Sequence, residues 1–256
     1  MQPIISIRDL RKNYGDKQVL KGITLDIFPG QIIGYIGPNG AGKSTTVKVL
    51  IGLLSDFEGD VSILGKDLRQ DTLSIKSLIG YVPENAEIYE VLTPMEYLSF
   101  VGKLYELEDD IIEERATRML QAFGLLENKD QRMDTFSKGM RQKVLITSGL
   151  LHNPQIVVLD EPLSGLDANA VIIVKEIMTL LKKENKTIFY CSHMMDVVEK
   201  VSDRIVLIDE GSIVADGTFS ALKESGDETL EQIFARLTGK QQHSTSADAF
   251  INALGQ

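Results

Sequence analysis

Residues 31–45 read QIIGYIGPNGAGKST. The first six, QIIGYI, have the length and apolar content of a buried strand. The next nine, GPNGAGKST, fit G-x-x-x-x-G-K-[ST] with Gly37, Gly42, Lys43 and Ser44 in the fixed places, and TTVKVLIGLL continues as a helix. Glycines let the backbone curl closely enough for its N–H groups to face an anion, and the helix N-terminus adds its dipole. Strand, glycine-rich turn and helix in that order make a phosphate-binding loop. Gly37, Pro38, Asn39, Gly40, Ala41, Gly42, Lys43, Ser44 and Thr45 are therefore candidate nucleotide contacts. Lys43 is placed to reach the β- and γ-phosphates, and the Ser44 hydroxyl to ligate Mg²⁺.

Outward from this loop, short apolar runs alternate with helical patterns: PIISIRDL, GITLDIF, DVSILG, IGYVP, QIVVLD, TIFYCS, DRIVLID and SIVADG. The early runs lie close together, as in an antiparallel sheet. QIIGYIG, QIVVLD and TIFYCS are each followed by a helix-like segment, as in a parallel one. Between Leu92 and Leu151 no strand pattern occurs. There, Thr93, Pro94 and Glu96 make an N-cap, a first helical proline and a capping box. EDDIIEERATRMLQAFG follows, with acidic residues in its first turn and Gly124 as a stop. The expected fold is α/β, a P-loop NTPase with a mixed sheet core, an antiparallel β edge and an inserted helical subdomain over about 92–151. Residues 1–225 form the domain; 226–256 hold a helix, ETLEQIFARLTG, and a weakly ordered polar tail.

Composition narrows the partners. The chain has 256 residues, 43% hydrophobic, enough for a sizeable core. Its 27 basic and 37 acidic residues give a net charge of −10, with no basic stripe to track a nucleic-acid backbone. The single cysteine, Cys191, lies in an apolar run and suits a core position in a reducing compartment. The N-terminus lacks a basic flank and a long apolar stretch, and nowhere do about 18 apolar residues run together. The chain reads as soluble and cytoplasmic.

A second chemical segment is IVVLDEP, which ends a strand with two carboxylates, Asp160 and Glu161. Alone, such a pair is more often a solvated turn. Beside a phosphate-binding loop, Asp160 suits the Mg²⁺ side and Glu161 suits orienting or deprotonating an attacking water. A guanine-reading N-K-x-D is approached by NKD at Asn128 to Asp130, but the spacing is wrong. Taken singly, Tyr14 is a loop aromatic and His193 a strand-end histidine, while Met194 and Met195 have the character of apolar helix filler.

In order along the chain, these motifs resemble the ATP-binding-cassette ATPases from about Ile4 to Thr218. The resemblance puts Tyr14 of NYG where the family stacks an aromatic on adenine. It puts FSKGM, Phe136 to Met140, in the place of the family signature, SGLD at Ser164 to Asp167 in the place of the D-loop, and His193 of CSH in that of the switch histidine. It implies ATP and Mg²⁺ as ligands. Ser137 and Gly139 are then contacts to the γ-phosphate held by a second copy of the cassette, so that two chains pair head to tail.

Two motifs depart from the commonest family forms. Phe136, Lys138 and Met140 replace the first, third and fifth residues of Leu-Ser-Gly-Gly-Gln, and Glu84 in IGYVPEN stands where a Mg²⁺-contacting glutamine is usual. Glu84 is either a metal-side carboxylate or a solvated one. Both departures resemble the single cassettes that serve multispanning permeases of the drug, antibiotic, lipid or ion exporter type. The resemblance implies a separately encoded permease, a location on the cytoplasmic face of the membrane, and no nucleic-acid partner. Residues 85–105 would help form the groove for a permease helix, with Tyr89, Val91 and Leu92 either in that groove or in the subdomain core. The competing expectation is a soluble cassette switch acting on ribosomes or DNA.

Overall fold

The computed structural model describes residues 2–84, 88–239 and 253. Its strands are β1 (Ile5–Tyr14), β2 (Lys17–Ile27), β3 (Ile32–Ile36), β4 (Glu58–Ile63), β5 (Lys66–Asp67), β6 (Ile79–Val82), β7 (Ile156–Asp160), β8 (Thr187–Cys191), β9 (Arg204–Asp209) and β10 (Ser212–Gly217). Its helices are α1 (Lys43–Leu50), α2 (Thr72–Lys76), α3 (Pro94–Leu104), α4 (Asp109–Ala122), α5 (Lys138–Leu150), α6 (Ala168–Lys183), α7 (Met195–Val201), α8 (Phe219–Leu222) and α9 (Leu230–Thr238).

The strands form two sheets, ordered β2-β1-β4-β5 and β10-β9-β3-β8-β7-β6. The first is antiparallel throughout. In the second, β9, β3, β8, β7 and β6 run parallel, and only β10 is antiparallel, at the edge. Every residue of β3, β7 and β8 is buried, which is why those strands are continuous apolar runs. The antiparallel edge expected from the sequence is thus a separate four-stranded layer together with β10.

Period-2 side chains divide the parallel sheet between two cores. Ile33, Tyr35, Val158, Phe189 and Val206 join the antiparallel sheet and α1. Ile32, Ile36, Val157, Leu159, Ile188 and Leu207 join the helices on the other face. Cys191 is fully buried in the first core, and desolvation pushes its thiol well above the ordinary range. This agrees with the core position read from sequence.

From Pro94 to Leu150, between β6 and β7, the chain is helical, with α3, α4 and α5 and no strand. The α3 start carries the capping box, with the Glu96 amide donating to Thr93 Oγ1 (3.2 Å) and the Thr93 amide to Glu96 Oε2 (2.8 Å). α4 has Asp109 and Asp110 in its first turn, and Gly124 beyond it adopts φ +68°. α9 forms within ETLEQIFARLTG; the tail from residue 240, but for residue 253, lies outside the described residues.

One contact fixes α5 on the sheet. A Cβ on Gly80 of β6 would meet the Gly149 carbonyl oxygen at 2.1 Å, and one on Gly149 would meet the Tyr81 carbonyl oxygen at 2.9 Å. Backbone therefore lies on backbone. Gly80→Ala is expected to lower stability by about 2 kcal/mol or more through overpacking. Gly226→Ala, with open space around the new methyl, should stay within about 0.5 kcal/mol. Urea denaturation of the two variants checks the difference.

Candidate functional site

The phosphate-binding loop follows β3 and ends at Gly42, the N-cap of α1, in a left-handed conformation with φ +108°. Neighbouring residues hold it on both sides. A Cβ on Gly37 would meet the Ile208 carbonyl oxygen at 2.2 Å, and one on Gly42 would meet Leu20 Cδ2 at 2.6 Å. The Gly211 amide donates to the Ala41 carbonyl (3.0 Å). Lys43 Nζ donates to the carbonyls of Gly37 (2.6 Å) and Pro38 (3.1 Å), which centres its charge in the loop. Ser44 is exposed at the helix start, and the buried Thr46 hydroxyl donates to the Gly42 carbonyl (3.1 Å).

A cleft of about 230 Å³ opens over this loop, lined by Asn39, Gly40, Gly42, Lys43, Ser44 and Thr45 together with Lys17 and Val19. The last two were missed in the sequence. They belong to a β1–β2 hairpin that runs further than its apolar residues suggest. Tyr14 ends β1 opposite Lys17, so it stands at the cleft's edge and is not in a loop; its ring is about half exposed.

The carboxylates sit at the end of β7. Asp160 is buried, and desolvation first, then the neighbouring Glu161 and Glu84 charges, raise its pKa to about 6 against the pull of Lys43 and Lys48. Glu84 itself, just beyond β6, is exposed. Its negative charge is one of the contributions that raise the Asp160 pKa.

Glu161 is 9% exposed, and its backbone has φ +48°, a left-handed turn unusual for a residue with a Cβ. The turn is held because the Glu161 amide donates to the Cys191 carbonyl (2.9 Å). Its side chain is clamped from β8: Ser192 Oγ donates to Oε2 (3.1 Å), and His193 Nδ1 lies 2.8 Å from Oε1. The His193 ring is 72% exposed, so its far nitrogen faces outward. Ser192 escaped sequence reasoning because a serine beside a histidine has no spacing signal of its own.

Ser137 and Gly139 are not brought to this cleft. Ser137 is the N-cap of α5, its hydroxyl accepting from the Met140 amide (3.2 Å), and it is exposed. The start of α5 packs instead on the segment after Glu161. A Cβ on Gly139 would meet the Gly165 carbonyl oxygen at 2.6 Å, Lys138 Nζ reaches Ser164 Oγ (3.0 Å), buried Gln142 donates to the Pro162 carbonyl (3.0 Å), and Lys143 pairs with Asp167 (2.9 Å).

Chemically, the arrangement suits a triphosphate with a hard cation. The glycine-rich loop and Lys43 can meet anionic oxygens, and buried Asp160 lies near enough to α1 to feel the Lys43 and Lys48 charges. Among the described residues no group of three or more His, Cys, Asp or Glu side chains could hold a metal by itself.

The comparisons with known proteins agree with this chemistry. The family profile described as "ABC transporter" matches residues 20–164. The linearmycin resistance ATP-binding protein LnrL of Bacillus subtilis is 35% identical over 231 residues, covering 90% of this chain and 74% of that protein. The ABC-type transporter ATP-binding protein EcsA of the same organism is 34% identical, covering 92% and 96%. Among solved structures, an ATP-binding subunit of an ABC transporter superposes with TM-score 0.86 at 31% identity, over 91% of this chain and 99% of that one. A dimeric cassette in a post-hydrolysis state with ADP and phosphate gives TM-score 0.77 at 23% identity, over 84% and 98%, which is a likeness of fold.

The Asp160 shift has a testable sign. Its folded pKa of about 6 exceeds the ordinary 3.8, so between those values the folded chain holds a proton that the unfolded chain has lost. Stability therefore falls as pH rises through that window. Without nucleotide or Mg²⁺, Asp160→Asn is expected to raise Tm at pH 7.5, and the gain should shrink as pH falls below about 6 and vanish near pH 4. Thermal melts across pH check it.

Proposed function

The chain belongs to the ABC transporter family as an ATP-binding, ATP-hydrolysing subunit, and we propose that its closure on ATP energises a separate membrane permease. The observation that carries this reading is the clamp on Glu161 just beyond β7, on the same end of the sheet as the phosphate-binding loop. A carboxylate fixed there is set to take a proton from water attacking a γ-phosphate.

In this reading Tyr14 stacks on adenine. The loop amides from Gly37 to Thr45 cradle the phosphates, and Lys43 offsets charge on the transferring phosphoryl group. Ser44, Asp160 and Glu84 would hold Mg²⁺, which would supply neutralising charge to the triphosphate. Glu161 orients and deprotonates the water. His193 bridges Glu161 on one side, and its outward nitrogen meets the γ-phosphate on the other. The site's carboxylates repel a triphosphate, so Lys43, the cation and the helix dipole together must exceed that repulsion.

Dimerisation follows from what one chain lacks. A cleft of about 230 Å³ is smaller than the enclosed sites typical of small ligands, and Ser137 points away from it into solvent. A second copy arranged head to tail supplies Ser137 and Gly139 as the missing wall. Hydrolysis then removes the phosphate that both chains hold, and the pair loosens.

The permease surface is a groove of about 690 Å³ lined by Leu73, Lys76, Ser77, Leu104, Tyr105 and Glu106. Phe100 lies one turn before Leu104 on α3 and meets Tyr89 edge to face at 5.9 Å between centroids. Tyr89, Val91, Phe100, Leu104 and Leu73 are all exposed. Tyr89 and Val91 thus sit outside the subdomain core, whereas Leu92 packs against it. A contiguous apolar strip of this kind suits an amphipathic helix. Residues 85–87 of the expected groove lie outside the described residues. No helix among the described residues is long and apolar enough to cross a membrane, so the permease is a different chain or segment in this reading, and the cassette sits against its cytoplasmic face.

Glu161→Gln is expected to keep ATP binding and lose turnover by about 100-fold or more. With saturating ATP and Mg²⁺ it should elute as a dimer on sizing. Wild-type turnover would remove Glu161 from the mechanism, and a monomer would remove the closure step. Leu104→Glu should leave ATPase activity of the free chain unchanged and abolish co-purification of a multispanning protein from solubilised membranes. Undiminished recovery of that protein would move the permease surface elsewhere.

A further inference from the structure

Lys12 is a buried lysine that hydrolysis does not use. It stands two residues before Tyr14 on β1, across a register irregularity between Lys12 and Asn13, and its ammonium still reaches the Tyr14 ring. Its residue is 6% exposed, and its Nζ lies 2.8 Å from Oδ2 of Asp56, a side chain that is 97% exposed. The same ammonium sits 5.0 Å from the centroid of the Tyr14 ring. Burying a lysine costs solvation, and an ion pair to so exposed a carboxylate returns little of it. The position is therefore hard to account for as a device for stability alone.

Its geometry has a direct consequence for the ring. An ammonium over one face covers that face and draws electron density toward it. The opposite face is left as the platform, with its electron density reduced. An electron-rich purine stacks more favourably on such a face. Asp56 lies in the connection between α1 and β4, so the Lys12–Asp56 pair joins the end of β1 to that connection.

We propose that Lys12, anchored by Asp56, is a positioning residue for the nucleobase: it backs Tyr14 and presents one polarised face of that ring to the purine of a nucleoside triphosphate. The inference rests on Tyr14 as the base platform. Lys12 touches the ring and not the ligand, so its effect must pass through Tyr14 and must spare a ligand without a base.

Isothermal titration of the full chain with Mg·ATP and with Mg·tripolyphosphate separates these cases. Lys12→Met is expected to weaken ATP binding about fivefold and to leave tripolyphosphate binding unchanged, which also reports an intact phosphate loop. Asp56→Asn should weaken ATP in the same direction by less. In a Tyr14→Leu background, Lys12→Met should add nothing further. Unchanged ATP affinity in Lys12→Met overturns the inference, as does an equal loss for tripolyphosphate, since that describes general attraction of phosphate. Should Lys12→Met not fold, Asp56→Asn at its exposed position carries the test, and unchanged ATP affinity there overturns the inference. Full ATP affinity in Tyr14→Leu overturns the base-platform reading itself, an outcome distinct from failure at Lys12.

Discussion

The site depends on one constraint: β3, β8, β7 and β6 are adjacent and parallel, so their carboxyl ends lie in a row. Each of those four ends releases a different chemical group. The phosphate-binding loop leaves β3, His193 leaves β8, Asp160 and Glu161 end β7, and Glu84 follows β6. No long-range recognition between these segments is needed. Hydrogen bonding of the strands brings the groups together, and the crevice beyond their ends is where open α/β sheets bind ligands.

That row would scatter if the parallel strands were not buried on both sides. The antiparallel layer covers one face, and α3 to α7 with α9 cover the other. Close backbone contacts set the spacing, at Gly37 against Ile208 and at Gly80 against Gly149. The second of these seats α5, whose first turns are pinned by Gln142, Lys143 and Gly139 to residues 162–167. The exposed Ser137 and the clamped Glu161 are thus parts of one braced unit, although they face different ways.

Much of this was legible in the sequence. Residues 37–45, 160–161 and 193 could be assigned to strand ends because each follows an apolar run, and Thr93 with Glu96 announced α3 through a cap whose partners are three residues apart. What escaped notice lacked either an apolar period or a local partner. The outer hairpin, from Asp9 to Tyr14 and from Lys17 onward, is largely polar on both faces, so Lys17 and Val19 gave no strand signal. Two-residue β5 is too short for any period. Ser192, Gly80 and Gly149 act through contacts distant in sequence, and spacing within a motif says nothing about those. The signature residues were visible as a helix start, but their distance from the cleft of their own chain is a matter of tertiary placement.

Glu161 turns the chain with φ +48°. A glycine there would relieve the left-handed penalty and release a buried carboxylate from its desolvation, while leaving the loop that grips phosphate intact. In the proposed mechanism the carboxylate that activates water therefore sits at a backbone position the fold would sooner give to glycine.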